Sequence, residues 1–282
     1  MVILKLPVQS WVASRQPILC CAQHGAIAEQ EMERTSDTAL VIMARYPEAG
    51  KTKTRLARAI GHEEATRLYQ AFLTDLAQRF AAGEYHLCWA YTPPEVDFAT
   101  FVANLIPTCA HSIHSMRCFL QEGKDLGSRL HAAFQWTSAR DFQRTILISS
   151  DSPHISMATI DRARAALDEA DVVLGPAEDG GYYLIAMRRS HDVFTGIPMS
   201  TSAVMRMTIE LAESQGLTVH LLEPLLDIDE LPDLLRLAQL LEADYSLAPA
   251  TAAHLAIRRR LHGHNIHSYT ATFNLHRADE PL

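Results

Sequence analysis

Short apolar runs alternate with amphipathic stretches along the middle of the chain, and nothing else constrains its fold as tightly. Strand-like runs occur at 39–44 (ALVIMA), 85–92 (YHLCWAYT), 144–150 (RTILISS), 171–176 (DVVLGP), 181–187 (GYYLIAM) and 217–222 (LTVHLL). Between several of them lie helical patterns. In 63–80, Ala65, Leu68, Phe72, Leu76 and Phe80 recur at three- and four-residue steps, the period of one helix face. The stretch 156–170 opens on Ser156, a good N-cap residue. The stretch 200–216 starts with Ser and Thr and ends on Gly216, and 231–243 repeats Leu at helical spacing. Strands alternating with helices specify an α/β fold with a mostly parallel sheet covered on both faces. No break in composition and no internal repeat interrupts residues 38–245, so one domain is expected there.

The ends read differently. Residues 1–37 carry apolar patches broken by Pro7, Arg15 and Pro17, too short for the core of a signal peptide. They are expected to form a partly disordered extension outside the catalytic fold. Residues 246–282 also read as an appended extension. No apolar run approaches the ~20 residues of a membrane span. With 33 acidic against 25 basic residues, the net charge of −8 argues against nucleic-acid or anionic-membrane partners. The five cysteines form no Cys-x-x-Cys pair; Cys88 and Cys118 sit in apolar runs and read as buried free thiols. An odd cysteine count fits a reducing cytoplasm.

In this acidic chain, one loop gathers cations. After the first strand-like run, Arg45 and a Pro-Glu-Ala-Gly turn lead into Lys51, Lys53, Arg55 and Arg58. In open α/β sheets, ligands bind beyond the carboxyl ends of the strands. Cations at a helix start oppose the helix dipole unless an anion neutralises them, and a di- or triphosphate would do so, with Gly50 allowing close approach. One alternative is a P-loop, since Gly50-Lys51-Thr52 matches the end of that motif. Against it, Arg45 stands where the motif needs Gly, and Pro47 removes a backbone donor.

Carboxylates follow three other strands. Asp151 closes the 144–150 run and is placed to reach a divalent cation bridging phosphates, or to form a turn before Pro153. Asp179 lies in Glu-Asp-Gly-Gly, a hairpin signal whose acid could position an acceptor or take its proton. Asp227 and Asp229, two apart, face the same way in an extended segment. Asp229 is a candidate second metal ligand, while Asp229 or Asp233 could instead cap the following helix.

The blocks ARYPEAGKTKTRLA, SSDSPHIS, LGPAEDGGYYLIAM, GIPMSTSAVMRMT and DIDELPDL, in this order and spacing, resemble the bacterial radical-SAM/selenodomain-associated transferase family. That family is a branch of the GT-A nucleotide-diphospho-sugar transferase superfamily, related to molybdenum-cofactor and phospholactate guanylyltransferases. The resemblance spans about residues 38–245. It implies a single Rossmann-like GT-A domain with a mainly parallel mixed sheet. It implies a nucleoside triphosphate or nucleotide-sugar over the first loop, at Ala44, Arg45, Gly50, Lys51, Lys53 and Arg55, with the last three cations on phosphates. It implies Mg²⁺ or Mn²⁺ at Asp151 and Asp229, with Lys51 and Asp179 as catalytic candidates and a small-molecule acceptor. Two departures stand out. Met199 occupies the position where such sequences usually carry Trp, and Ser149 and Ser150 replace the usual small residues. The expected activity is a metal-dependent nucleotidyl or glycosyl transfer. The competing expectation is a nucleotide-binding regulatory module without catalysis.

Overall fold

The structure, a computed structural model, describes residues 37–106, 116–199 and 201–262, with side chains up to residue 256. Its centre is β1 (Thr38–Arg45), whose run of apolar residues is buried on both sides, as expected of an interior parallel strand. Strand β2 (His86–Thr92) pairs with it in parallel on one side and β4 (Arg144–Ser149) on the other. Beyond β2 lies β3 (Arg117–Leu120). Beyond β4 come β6 (Tyr182–Met187), β5 (Val172–Pro176) and β7 (Val219–Leu221), giving the order β3-β2-β1-β4-β6-β5-β7. Strand β6 runs antiparallel to both neighbours, β4 and β5, while β7 is parallel to β5. The sheet is therefore mixed and mainly parallel.

Side chains alternate along β1, so its two faces feed two cores. Leu40, Ile42 and Ala44 face a large core with α1 (Thr54–Ile60), α2 (His62–Phe80), α3 (Phe98–Ala103), α5 (Met157–Ala166) and α7 (Leu231–Ala243). Ala39 and Val41 face a smaller one with α4 (Leu126–Ser138) and α6 (Val204–Ser214). All five apolar positions read from the α2 pattern are buried. Ser156 caps α5, its hydroxyl accepting from the Thr159 N–H at 3.1 Å.

The six strand-like runs all form strands. Strand β3 and helices α3 and α4 were not expected. Strand β3 has four residues, two of them Arg117 and Cys118, too few for a period to show. Helix α4 opens with Gly127 and Ser128, poor helix formers. What starts it is a cap: Asp125 accepts from the Ser128 N–H at 2.8 Å and Ser128 Oγ accepts from the Asp125 N–H at 3.1 Å. Gly127 packs close to Met199: a Cβ would come within 2.9 Å of the Met199 methyl carbon, the mobile end of a flexible side chain.

The Glu-Asp-Gly-Gly turn joins β5 to β6 as the hairpin signal anticipates. Gly180 has φ +91°, and a Cβ there would lie 2.3 Å from the Ser202 carbonyl oxygen, so glycine is required twice over.

The packed unit continues past residue 245, where an appended tail was expected. A 3-10 turn (Tyr245–Leu247) leads into α8 (Pro249–His262), and Ala248 and Leu255 join the large core. The anchor is Asp75 on α2, 3% exposed. It accepts from the N–H groups of Ala250 (2.7 Å) and Thr251 (2.9 Å) and from the Thr251 hydroxyl (2.6 Å). Arg79 on the same helix donates to the carbonyls of Pro153, Ile155 and Leu247. Of the expected extensions at 1–37 and 246–282, residues 1–36 and 263–282 lie outside the described residues, as do Cys20, Cys21 and Cys109; Cys88 is a buried and Cys118 a half-buried free thiol. Among the described residues no helix is long and apolar enough to cross a membrane.

Replacing Asp75 by Ala leaves three donors at the start of α8 without their acceptor. Charged hydrogen bonds of this kind contribute about 1.5–3 kcal/mol, so Asp75→Ala is expected to lower the unfolding free energy by about 2–3 kcal/mol. Urea denaturation checks the loss, and limited proteolysis should cut first within 245–262.

Candidate active site

Because β1, β2, β3 and β4 run in parallel, their carboxyl ends share one edge of the sheet. The antiparallel β6 brings its amino end, with the 177–181 turn, to that same edge. A cleft of about 820 Å³ opens there, lined by Ala44, Arg45, Lys51, Lys53, Arg55, Asp151, Asp179, Asp227 and Asp229 among others. Every candidate residue read from the sequence lines it except Gly50, which has φ +82° and open space around it.

The loop after β1 is tied to itself. The N–H groups of Lys51 and Thr52 donate to the Glu48 carbonyl, each at 3.1 Å, and the Glu48 N–H donates to Thr52 Oγ1 at 3.1 Å. Those donors are spent inside the loop, so the P-loop alternative, which needs them free to cradle phosphate, is not met. Lys51 is exposed and pairs with Glu48 at 2.9 Å.

Lys53 departs from expectation. It occupies the left-handed region, φ +48°, an uncommon backbone state for a residue with a Cβ. Its ammonium is buried, 2.7 Å from Asp151 Oδ1, 3.0 Å from Asp229 Oδ1 and 2.6 Å from the Ile228 carbonyl. It is turned onto the carboxylates rather than held free for a phosphate. Burial alone would lower its pKa, but Asp151, Asp229 and Asp227 together overcome that and raise it. Arg55 Nη1 reaches Asp229 Oδ2 at 3.2 Å.

The carboxylates converge because the segment before α7 runs along the end of β4. Ile228 N–H donates to the Asp151 carbonyl at 3.0 Å, and Ser152 Oγ donates to Asp227 Oδ1 at 2.9 Å. Asp151, Asp227 and Asp229 each offer an oxygen within 4.8 Å of the others. The capping role falls to Asp233, whose Oδ2 accepts from the N–H groups of Asp229 (3.1 Å) and Glu230 (2.8 Å). Asp229 is thereby left to the cluster. Burial pushes the Asp227 carboxyl up to about 7, helped by Asp151 and only partly opposed by Lys53. For Asp229, burial acts the same way, but Lys53 and Arg55 outweigh it and hold the carboxyl below its usual range. With Asp227 ionised, three carboxylates against two cations leave excess negative charge. Hard oxygen ligands in that state suit Mg²⁺ or Mn²⁺, so the donor set fits a divalent ion.

Asp179 forms the turn its sequence allowed and stands in the cleft lining. Its Oδ1 accepts from the Gly181 N–H at 2.9 Å, shaping the turn, and it lines the cleft. Tyr69 was missed. Its hydroxyl accepts from the Arg45 N–H at 3.1 Å and lies 2.7 Å from Ser150 Oγ. Burial and Asp151 push its pKa up to about 12. In the sequence it is one more apolar-face position of α2, so nothing marked it. Asp227 was visible as the partner of Asp229 in spacing but was not assigned to the metal. Gln121 and Arg129, also in the lining, fall in the unrecognised β3–α4 region.

Comparison with known proteins places this arrangement. Residues 76–201 match the family model described as an uncharacterized protein conserved in bacteria, DUF2064. A solved structure from Desulfovibrio desulfuricans, described as a candidate nucleotide-diphospho-sugar transferase, is 32% identical with a TM-score of 0.74, covering 83% of this chain and 99% of its own. The chain belongs to one family with that Desulfovibrio protein. More distant is an Rv0371c homologue from Mycobacterium sp. strain JC1, 19% identical, TM-score 0.46, covering 74% of this chain and all of its own. Rv0371c from Mycobacterium tuberculosis, in complex with manganese, is 20% identical with a TM-score of 0.40, covering 73% and 99%. Likenesses at those scores carry no functional argument. A search of curated proteins finds no match.

Two outcomes test the electrostatics of this site. Lys53→Met leaves Asp151 and Asp229 without their buried counter-ion. Breaking a buried pair costs about 3–5 kcal/mol. With the carboxylates about one-third exposed, about 2–3 kcal/mol is expected in urea denaturation at pH 7. Asp227 binds a proton in the folded chain that the unfolded chain has released above its ordinary pKa. Its contribution is therefore favourable in acid and is lost as pH rises through about 7. Asp227→Asn should gain on the wild type between pH 5 and pH 8 by on the order of 2–4 kcal/mol. Equal pH slopes for the two proteins would remove Asp227 from the cluster.

Proposed function

We propose that the protein is a divalent-metal-dependent transferase that uses a nucleotide-activated donor, with a nucleotide-sugar favoured over a nucleoside triphosphate. The carrying observation is the convergence of Asp151, Asp227 and Asp229 within 4.8 Å in a cleft whose adjoining wall bears Arg45, Lys51 and Arg55. The preference for a nucleotide-sugar rests on the description of the 32%-identical Desulfovibrio relative. The finer reading is a GT-A enzyme of the radical-SAM/selenodomain-associated branch, acting in the cytoplasm on a small-molecule acceptor.

In this reading Arg45, Lys51 and Arg55 bind the donor phosphates, and Lys51 sheds its contact with Glu48 to do so. Asp151, Asp227 and Asp229 hold Mg²⁺ or Mn²⁺. When bound, the ion neutralises charge that develops on the departing phosphate. Lys53 keeps Asp151 and Asp229 in position and supplies a fixed positive charge beside them. Asp179, at the amino end of β6, orients the acceptor hydroxyl and receives its proton. In glycosyl transfer the acceptor oxygen bonds to the anomeric carbon, the bond to the donor phosphate breaks, and a nucleoside diphosphate leaves. In nucleotidyl transfer the acceptor attacks the α-phosphorus and pyrophosphate leaves. Neither needs a covalent enzyme intermediate.

Thermal melts with UDP- and GDP-sugars and with the four nucleoside triphosphates, with and without Mn²⁺, test the binding. A ligand shift that requires Mn²⁺ and is lost in Asp151→Asn and Asp229→Asn is expected. A shift that persists unchanged in both variants and in Asp227→Asn would take the metal away from this cluster. In turnover, release of UDP or GDP identifies glycosyl transfer and release of pyrophosphate identifies nucleotidyl transfer. Binding without either product, across a panel of acceptors, would favour the regulatory module.

A further inference from the structure

The ladder between β1 and β4 ends at the pair Met43 and Ser149, two residues before β1 itself ends. Successive backbone N–H groups along a strand point to opposite sides. The Tyr46 N–H donates to the Thr92 carbonyl on the β2 side at 2.7 Å, so the Arg45 N–H points to the β4 side, where the ladder has run out. Tyr69 fills that gap. Its hydroxyl accepts the Arg45 N–H at 3.1 Å and lies 2.7 Å from the Oγ of Ser150, the first residue past β4. A phenol that accepts an N–H still has its own hydrogen to give, and the raised pKa of Tyr69 keeps that hydrogen in place. Tyr69 and Ser150 are both buried, so neither hydroxyl has bulk water as a substitute partner. The ring is carried by α2, whose Leu68, Phe72 and Leu76 pack into the large core, which makes the phenol a fixed post between the two strand ends.

We infer that Tyr69 is a positioning residue that couples the metal cluster to the phosphate wall, its hydroxyl holding the loop after β1 in register with the loop after β4. The inference rests on the metal and polyphosphate reading given above and adds the link between its two halves. On one side the link reaches Arg45, and through it the loop that carries Lys51 and Arg55. On the other it reaches Ser150, whose neighbour Asp151 offers an oxygen to the cluster. The turn at 149–152 is already tied together, the Asp151 N–H donating to Ser149 Oγ at 2.9 Å and Ser152 Oγ to Asp227 Oδ1 at 2.9 Å. With Asp151 and Asp227 committed to a divalent ion, that turn loses its remaining freedom. Ser150 then holds the phenol, and the phenol holds Arg45 where phosphate meets it. Ordering completed by one ligand need not be repeated by the other, which makes the two bind with positive coupling. The coupling is reciprocal, so bound polyphosphate raises the affinity for metal by the same factor. Direct attraction between metal and phosphate contributes whatever Tyr69 does, and the share of the hydroxyl is read as a difference between proteins.

Isothermal titration with Mn²⁺ alone, with inorganic pyrophosphate alone, and with pyrophosphate at saturating Mn²⁺ gives the factor by which metal raises pyrophosphate affinity. Wild type, Tyr69→Phe, Ser150→Ala and Tyr85→Phe are compared. Tyr69→Phe keeps the ring and its packing and removes only the hydroxyl. In that variant the factor is expected to fall about 5-fold, the worth of one net hydrogen bond, with the affinities for Mn²⁺ alone and pyrophosphate alone changed by less than about 2-fold. Ser150→Ala removes the other partner of the hydroxyl, should give the same fall, and stands in for Tyr69→Phe should that variant not fold. Tyr85→Phe removes the hydroxyl of another tyrosine in the large core, one that meets Met157 Sδ, and should leave the factor unchanged, as a loss of packing or stability alone would. An unchanged factor in both Tyr69→Phe and Ser150→Ala would return Tyr69 to the core and overturn the inference, as would an equal fall in Tyr85→Phe. Failure of the proposed function shows instead in the wild type. Wild type that binds pyrophosphate with no help from Mn²⁺ would overturn the metal half of that reading, and wild type that binds neither would overturn all of it; the inference falls with either.

Discussion

The ammonium of Lys53 holds the site together. Without it, Asp151 and Asp229 would meet Asp227 with only the half-exposed Arg55 to offset their repulsion, which partial burial strengthens. The Lys53 Nζ sits within hydrogen-bonding distance of both flanking carboxylates and of the Ile228 carbonyl. It therefore fastens the segment before α7 to the end of β4 and to the loop after β1. The left-handed backbone of Lys53 is a cost borne for that reach, a pattern often found at functional sites. The same contact leaves the cluster under-neutralised, and the upward shift of Asp227 registers it. A site built this way is stable enough to fold and still has negative charge to offer a metal.

The second constraint is topological. Strand β5 runs in the same direction as β4, so its carboxyl end already lies at the active edge. A parallel β6 would require the chain to cross to the opposite edge; because β6 is antiparallel to β4 and β5, a short hairpin at 177–181 keeps the connection at the active edge. Asp179 and Tyr182 then line the same cleft as the cations after β1. The turn is tight enough that only glycine fits at 180, which fixes where Asp179 can stand.

These features were not equally legible in the amino-acid order. The strands could be read because β-branched and aliphatic runs bounded by turn residues have few other uses, and α2 because five apolar positions fall on one face. Helix α4 could not, since its signal is a cap around Asp125 and its first turn carries Gly127 and Ser128, poor helix formers. The carboxylates were legible as strand-end acids, and their partnership was not. Asp227 and Asp229 show a spacing, but whether Asp229 turns to the cluster or to the helix cap depends on Asp233 taking the cap. Lys53 was legible as a cation and misread as to partner, because the pull of three buried carboxylates belongs to the tertiary structure. Tyr69 carried no mark at all: an aromatic on the buried face of a helix looks the same whether it fills the core or orders the loop at Arg45.

The cations at the cleft are held in different degrees, which bears on what the site can select. Lys53 is fully engaged by carboxylates. Arg55 is shared with Asp229 and Lys51 with Glu48, and Arg45 has no carboxylate partner among the described residues. A ligand that offers a single phosphate gains Arg45 but must displace existing pairs to gain the others, and exposed exchanges of that sort return little. A diphosphate or triphosphate recruits several cations at once and brings charge that a metal on the three carboxylates can share. The threshold this sets favours polyphosphate over monophosphate before any base or sugar is read. It also bears on how an acidic chain tolerates so many cations in one loop: Lys51, Lys53 and Arg55 are each paired with a carboxylate.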